Sequence, residues 1–255
     1  MPLDPESHNG IVILPAFADE MNKSRHMLNL LSKKFCDENY HVITPDLFGT
    51  GDSHGNHKEA NWETWLVDIE TTIKYLEEQG VTNVSLLGLR TGALLAADAI
   101  SRSSVNFKHL VLWHPVIDGN VFISQFLRLR LAAGMISNDQ KKETTKELLE
   151  KLLSGECVEV AGYDLSPELA LTLKEKSLKN VQDSLPNTTW IDIVPSSDRS
   201  PPVVNNKLVQ SWAELDIDVK HEKCVGEAFW GSVEIVELPA LVDMTIDLVM
   251  NADGS

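Results

Sequence analysis

Short, uninterrupted apolar runs alternate along this chain with stretches whose apolar residues recur every three or four positions. Residues 11–15 (IVILP), 41–45 (HVITP), 83–89 (NVSLLGL) and 110–113 (LVLW) are of the first kind. Such runs mark strands buried on both faces of a parallel sheet. Between them, Met27, Leu30, Leu31 and Phe35 keep helical spacing. Trp62, Trp65, Leu66, Ile69, Ile73 and Leu76 form one stripe behind Asn61, a residue suited to cap a helix. The predicted order is strand, helix, strand, helix, strand, helix, strand, from which right-handed βαβ crossovers follow. After Gly119 the rhythm changes. Residues 121–179 read as helical and charge-rich, punctuated by Gly155, Gly162 and Pro167, and the Lys/Glu run at 141–151 reads as a solvated helix face. Strands resume at 189–194 (TWIDIV) and 216–224, with a helix near 204–215 between them, and a closing helix runs from Pro239 to about Met250. The pattern predicts an α/β core at 1–118 and 185–255, with a helical cap inserted at 119–184 over the C-terminal ends of the strands.

Bulk composition narrows the functional classes. A chain of 255 residues suits one such domain with an insertion. The formal net charge of -16 repels nucleic acid and anionic membranes, which removes both as expected partners. No apolar run approaches the ~18 residues of a membrane span, and the polar, acidic start MPLDPESHNG lacks the marks of a signal peptide. A cytoplasmic location is the expectation. Cys36, Cys157 and Cys224 are widely spaced and odd in number, which suits a reducing compartment and offers neither a disulfide framework nor a zinc site. No metal or cofactor is expected.

Residues 83–100 (NVSLLGLRTGALLAADAI) organise the candidate chemistry. A buried strand, a turn with Gly88 and Gly92 four apart, and an Ala/Leu-rich helix make the frame of the G-x-S-x-G nucleophile elbow, in which a sharp strand-to-helix turn lifts one side chain above a parallel sheet. The glycines are required where strand and helix pass too closely for a Cβ. Here the lifted residue is Arg90. A guanidinium stays protonated and has no lone pair to offer a carbonyl carbon, so it cannot be a nucleophile.

In an open parallel sheet, chemistry collects beyond the strand C-terminal ends. The residues there are Phe17 and Ala18, Asp46 to Ser53, Arg90 and Thr91, His114, Asp198, and Phe229 with Trp230. The arrangement resembles the α/β-hydrolase fold. On that template DLFGTGDSHG matches a D-x-x-G-x-G-x-S stretch, Asp198 in VPSSD stands at the acid position, and Phe229 in GEAFW stands where histidine is usual. Serine and imidazole are both missing, which closes the acyl-enzyme route because each performs a step the other cannot.

More specifically, the chain resembles the type 2 hydrolase family associated with the exosortase A system. The resemblance rests on PAFADEMNKSRHM (15–27), DLFGTGDSHG (46–55), WETWLVDI (62–69), GLRTGALLA (88–96), LVLWHPVIDG (110–119), QFLRLRLAA (125–133), VAGYDLSP (160–167) and FW at 229–230 with Glu234 and Ile235. It implies a hydrolase-like protein found beside exosortase, PEP-CTERM protein-sorting and exopolysaccharide genes, in which arginine at the elbow is the family's own pattern. His26 and His114 depart from it, standing where arginine and glutamine are expected. The start of the chain leaves no room for the fold's first two antiparallel strands, so a mostly parallel sheet of about six strands is expected, in the order 2-1-3-4-5-6.

Two functional readings follow. In the first, the chain is a pseudoenzyme whose former active-site cleft holds a small anionic or acyl-type ligand or a protein of the exosortase/exopolysaccharide system. Arg90 and Thr91 at a helix start, with the Phe17/Ala18 loop, would favour an anion. Glu20, Asn22 and Lys23 crowd the first turn of the neighbouring helix, Gln125 and Arg128 lie one turn apart in the cap, and Phe229 and Trp230 would wall the cleft. The bland form of this reading pairs Arg90 with Asp198, since a buried arginine needs a partner. In the second reading the chain hydrolyses esters or thioesters through Thr91, Ser24, or a water activated by Asp198 or His114.

Overall fold

The computed structural model describes residue 2 and residues 6–136, 143–181 and 185–253. Its elements are β1 (Asn9–Leu14), α1 (Asp19–Asp37), β2 (His41–Ile43), α2 (Trp62–Glu78), β3 (Asn83–Leu89), α3 (Gly92–Arg102), β4 (His109–Trp113), α4 (Gly119–Ile136), α5 (Thr145–Leu153), β5 (Val158–Val160), β6 (Tyr163–Leu165), α6 (Pro167–Glu175), β7 (Asn187–Val194), α7 (Val203–Ala213), β8 (Val219–Val225) and α8 (Pro239–Asp253). They divide into two compact units, one of residues 1–45, 69–117 and 181–255, the other of 46–68 and 118–180.

The first unit carries an all-parallel sheet in the order β2-β1-β3-β4-β7-β8, which is the order expected. Apolar runs became its central strands because both faces of each are covered: Ile11 to Leu14 and Leu110 to Trp113 have no exposed surface. On one face Ile11, Ile13, Leu87, Leu89, Val111, Trp113, Ile191 and Ile193 meet Met27, Leu28, Leu31 and Phe35 of α1 and Leu241, Val242, Ile246 and Val249 of α8. The Trp113 indole N–H is satisfied inside this layer by Thr245 Oγ1 at 2.9 Å. Register matters for the site. Leu14 lies beside Gly88, Leu89 beside Trp113, and Trp113 beside Ile191, so these central strands end at one level.

The second unit is helical apart from one hairpin. Asn61 caps α2 as expected, its Oδ1 accepting the Thr64 N–H at 2.8 Å. Thr144 and Glu147 form a capping box on α5. The first two residues of the 141–151 run lie outside the described residues; within α5, Lys146 and Glu150 form an exposed i,i+4 pair. Segment 46–68 belongs here, because Ser166 Oγ donates to the Ala60 carbonyl at 2.8 Å and the His57 ring meets the Asp164 carbonyl at 2.9 Å. Asp46 is a turn former: its Oδ2 accepts the Asp52 N–H at 2.9 Å. The expectation of helix throughout 121–179 is corrected by the antiparallel pair β5–β6. These strands are three residues each, too short for a period to show. Their two-residue turn has Ala161 at φ 51° and Gly162 at φ 86°, the left-handed pair of a type I′ hairpin.

No helix among the described residues is long and apolar enough to cross a membrane. The tightest backbone approach in the first unit is at the β3–α3 turn, where a Cβ on Gly92 would sit 2.3 Å from the Leu14 carbonyl oxygen and one on Gly88 2.5 Å from the Ala93 backbone. Gly92→Ala should therefore lower the unfolding free energy by about 1–3 kcal/mol, since neither backbone can yield cheaply. Urea denaturation of the two proteins measures it, and an unchanged midpoint would show that the turn tolerates a side chain.

Candidate functional site

The site begins with the backbone at the elbow. Arg90 is held at φ 56°, a left-handed conformation uncommon for a residue with a side chain. Three backbone hydrogen bonds impose it: Arg90 N–H donates to the Trp113 carbonyl (3.0 Å), and the Arg90 carbonyl accepts from Val116 (3.0 Å) and Ala93 (3.2 Å). A second strained point faces it in sequence logic, Ala18 at φ 52°, ψ -122°, which starts α1. These two turns fix the stems of the two residues that meet, Arg90 and Glu20.

Arg90 donates from Nε to Glu20 Oε2 and from Nη2 to Glu20 Oε1, both at 3.2 Å, and from Nη1 to the His114 carbonyl at 3.4 Å. Its guanidinium carbon lies 5.2 Å from the centre of the Trp230 ring, a cation–π contact. The arginine and glutamate side chains are 16% and 25% exposed, so the pair is largely desolvated and its bidentate geometry counts. Burial pushes the Glu20 carboxyl above its ordinary range, against the opposing pull of Arg90 and, more weakly, Lys23. The partner of the elbow arginine is thus Glu20, which corrects the pairing with Asp198. Asp198 is exposed, and hydrogen bonds from Ser196 and its own backbone hold its carboxyl below the usual value.

His114 sits immediately beyond β4 at φ 40°, its ring stacked on Trp230 at 4.8 Å between centroids and 30° between planes. Its Nδ1 accepts the Ile193 N–H at 3.1 Å, which puts the proton of the neutral ring on Nε2. Burial first, and the Arg90 cation second, push its pKa down to about 4, against Asp192. At neutral pH this imidazole is therefore a hydrogen-bond donor with its Nδ1 lone pair occupied, the wrong form for a general base.

Beneath it lies a group that sequence reading passed over. Asp192 is fully buried, with Oδ2 2.7 Å from His221 Nε2, Oδ1 accepting from Asn205 Nδ2 at 2.7 Å, and His114 Nδ1 3.6 Å away. The signal was present: an acid inside the apolar run TWIDIV must find buried partners or remain neutral. His221 on the adjacent strand and Asn205 on α7 supply them.

The remaining expected residues disperse. Phe229 is buried in the core, edge-on to Trp113 (6.2 Å) and Trp230 (5.1 Å). Phe17 and Thr91 are buried, and the Phe17 carbonyl accepts the Glu20 N–H at 3.1 Å. Lys23 is paired with Asp19 at 2.7 Å, and Asn22 is exposed on α1. Ser24 is buried and donates to the Glu20 carbonyl at 2.7 Å, as a helix-interior hydroxyl does. In the second unit Gln125 and Arg128 are exposed on α4, whereas Arg130 is tied to Glu143 Oε2 at 2.8 Å.

The depressed His114 pKa has a pH consequence of definite sign. Between about pH 4 and 6.5 the unfolded chain binds a proton that the folded chain refuses, so stability falls as pH drops through that window and is unaffected by this group above it. The full effect is on the order of 3 kcal/mol. His114→Asn, which keeps an acceptor for the Ile193 N–H and tolerates positive φ, should flatten this part of the profile. Denaturation midpoints at several pH values would show it, and parallel profiles would remove His114 as the cause.

Comparison with known proteins places this geometry in context. Est1E from Butyrivibrio proteoclasticus, in a structure with ferulic acid bound, superposes with a TM-score of 0.68 at 13% identity over 99% of this chain and 92% of that one. Mouse alpha/beta hydrolase domain-containing protein 10 gives 0.60 at 18% identity, covering 96% and 91%. MenH from S. aureus gives 0.57 at 16% identity, covering 97% and 96%. At such identities the likeness is one of fold. No curated protein matches the sequence. The family model described as serine aminopeptidase, S33, matches residues 6–180, well over half of the sequence, and with the parallel sheet and elbow above it shows that the chain belongs to that family of α/β hydrolases.

Proposed function

We propose that this chain is a non-catalytic or atypical member of its hydrolase family that binds a small anion at Arg90. The observation that carries the reading is the guanidinium at the elbow, anchored through Nε and Nη2 on Glu20. Arginine has five N–H groups, and the hydrogen bonds among the described residues engage three, leaving one each on Nη1 and Nη2. Those two N–H groups are donors of the kind that bind a carboxylate or phosphate. His114, neutral and protonated on Nε2, adds a donor rather than a base.

The ligand class is an acyl carboxylate or a sugar phosphate. Thr91, Asn22 and Lys23 are the further polar residues proposed to line the ligand's path. The resemblance to exosortase A-associated type 2 hydrolases supports a setting in the cytoplasm of an exopolysaccharide-producing bacterium, with proteins of that system as partners. The alternative, an ester or thioester hydrolase using another nucleophile or a water activated by Asp198 or His114, has less in its favour. Ser24 is spent inside a helix, Thr91 is buried, Asp198 faces solvent, and the His114 lone pair at Nδ1 is occupied.

A fluorophosphonate probe should leave the protein unlabelled; labelling that disappears on mutation of one serine would overturn the proposal. Propionate and glucose 1-phosphate should raise the melting temperature of the wild type, by an amount equivalent to about 2.7 kcal/mol at roughly 100 times Kd. Arg90→Gln should respond to neither. Equal shifts in both proteins would take Arg90 out of the site.

A further inference from the structure

We propose that Glu20 is a resident competitor for the anion site, so that an anionic ligand binds at Arg90 together with one proton taken up by Glu20. This rests on the anion-binding reading above and adds how that binding is regulated. The side-on face of the Arg90 guanidinium, its most favourable face for a carboxylate, is already filled by a carboxylate of the chain itself, through two bonds of 3.2 Å. A ligand anion must therefore either displace Glu20 or take the remaining N–H groups of Nη1 and Nη2 beside it. In both cases two negative charges share one cation in a largely desolvated place.

Among the described residues that act on Glu20, the one cation besides Arg90 already has a counter-charge. The charged groups acting on Glu20 are Arg90 from the elbow and, on its own helix, Lys23 and Asp19. The last two are paired with each other at 2.7 Å and so offset one another. From the β4 side, His114 contributes a carbonyl to Arg90 and a ring stacked on Trp230, and burial together with Arg90 keeps that ring uncharged at neutral pH. The charge that can most readily be removed is that of Glu20, whose burial already favours the neutral form. Protonated, Glu20 still offers its carbonyl oxygen to the guanidinium, so the arginine keeps its anchor while its charge becomes available. The balance is simple: anion and solvent proton enter, no covalent bond in the ligand changes, and the proton resides on the Glu20 carboxyl.

The sign of the resulting pH dependence is fixed. Below the pKa of Glu20 in the free protein, the affinity is maximal and constant. Between that value and the higher pKa of the liganded protein, affinity falls toward tenfold per pH unit; above both it levels off at its weakest.

Calorimetric titration with propanesulfonate, whose charge does not change over the range, isolates the protein's own proton. Propionate provides the carboxylate comparison. Runs in two buffers of different ionisation enthalpy count the protons. In the wild type, uptake approaching one proton and a falling affinity with rising pH are expected. Glu20→Gln, which keeps the acceptor oxygen but cannot ionise, should bind propanesulfonate at least roughly tenfold more tightly at about pH 8, with no uptake and a flat profile. The wild-type pH series stands whether or not that variant folds. A flat wild-type profile without proton uptake, with binding still abolished by Arg90→Gln, would overturn the competitor role and leave the anion site intact. Equal, weak heats in wild type, Glu20→Gln and Arg90→Gln would overturn both.

Discussion

Everything at the candidate site depends on how closely β1, β3 and α3 pass one another at Gly88 and Gly92. With no room for a Cβ on either side, the chain turns through a left-handed residue, and backbone bonds to Trp113, Ala93 and Val116 lock it there. Whatever side chain occupies position 90 is projected beyond the ends of the central strands, because the backbone offers it no other direction. The fold thus presents one residue with unusual insistence, and in this chain the residue is a permanent cation.

A permanent cation in a largely desolvated place dictates its neighbours. Desolvation costs more than a lone contact returns unless geometry and hydrogen bonding are both good. Here Glu20 supplies a bidentate carboxylate, Trp230 a π face, and the His114 carbonyl a third acceptor. The same cation disfavours charge on the His114 imidazole, and the Ile193 N–H fixes that ring's tautomer. With arginine at the elbow, these groups surround an ion pair. Phe229 buries its ring against Trp113 and Trp230.

Asp192 shows a second, deeper accommodation. Its carboxylate has no exposed surface and is reached by a histidine from β8, an amide from α7 and, at longer range, His114. It is the acid of β7 that lies next to His114, whereas Asp198, farther along the same connection, is exposed. The polar cluster therefore extends inward from the elbow into the sheet, linking the ring beside Arg90 to a fully buried acidic side chain.

Local periodicity determined the fold. The apolar runs, the stripe behind Asn61 and the glycine spacing at the elbow were enough to set the sequence of strands and helices and to place Arg90 at the turn, because each depends only on residues a few positions apart; the strand order followed from the resemblance to the α/β-hydrolase fold. The hairpin at Val158–Leu165 escaped because three-residue strands leave no period to read. The identity of the arginine's partner was beyond local pattern altogether. Glu20 and Arg90 are 70 residues apart, and the sequence reading paired the arginine with Asp198; the Ala18 turn at the start of α1 precedes the carboxylate that meets it. Which residue stands at the elbow is written in the sequence; which carboxylate meets it, and how far that leaves the cation available, is decided only when strands distant in sequence are brought to one level by their register.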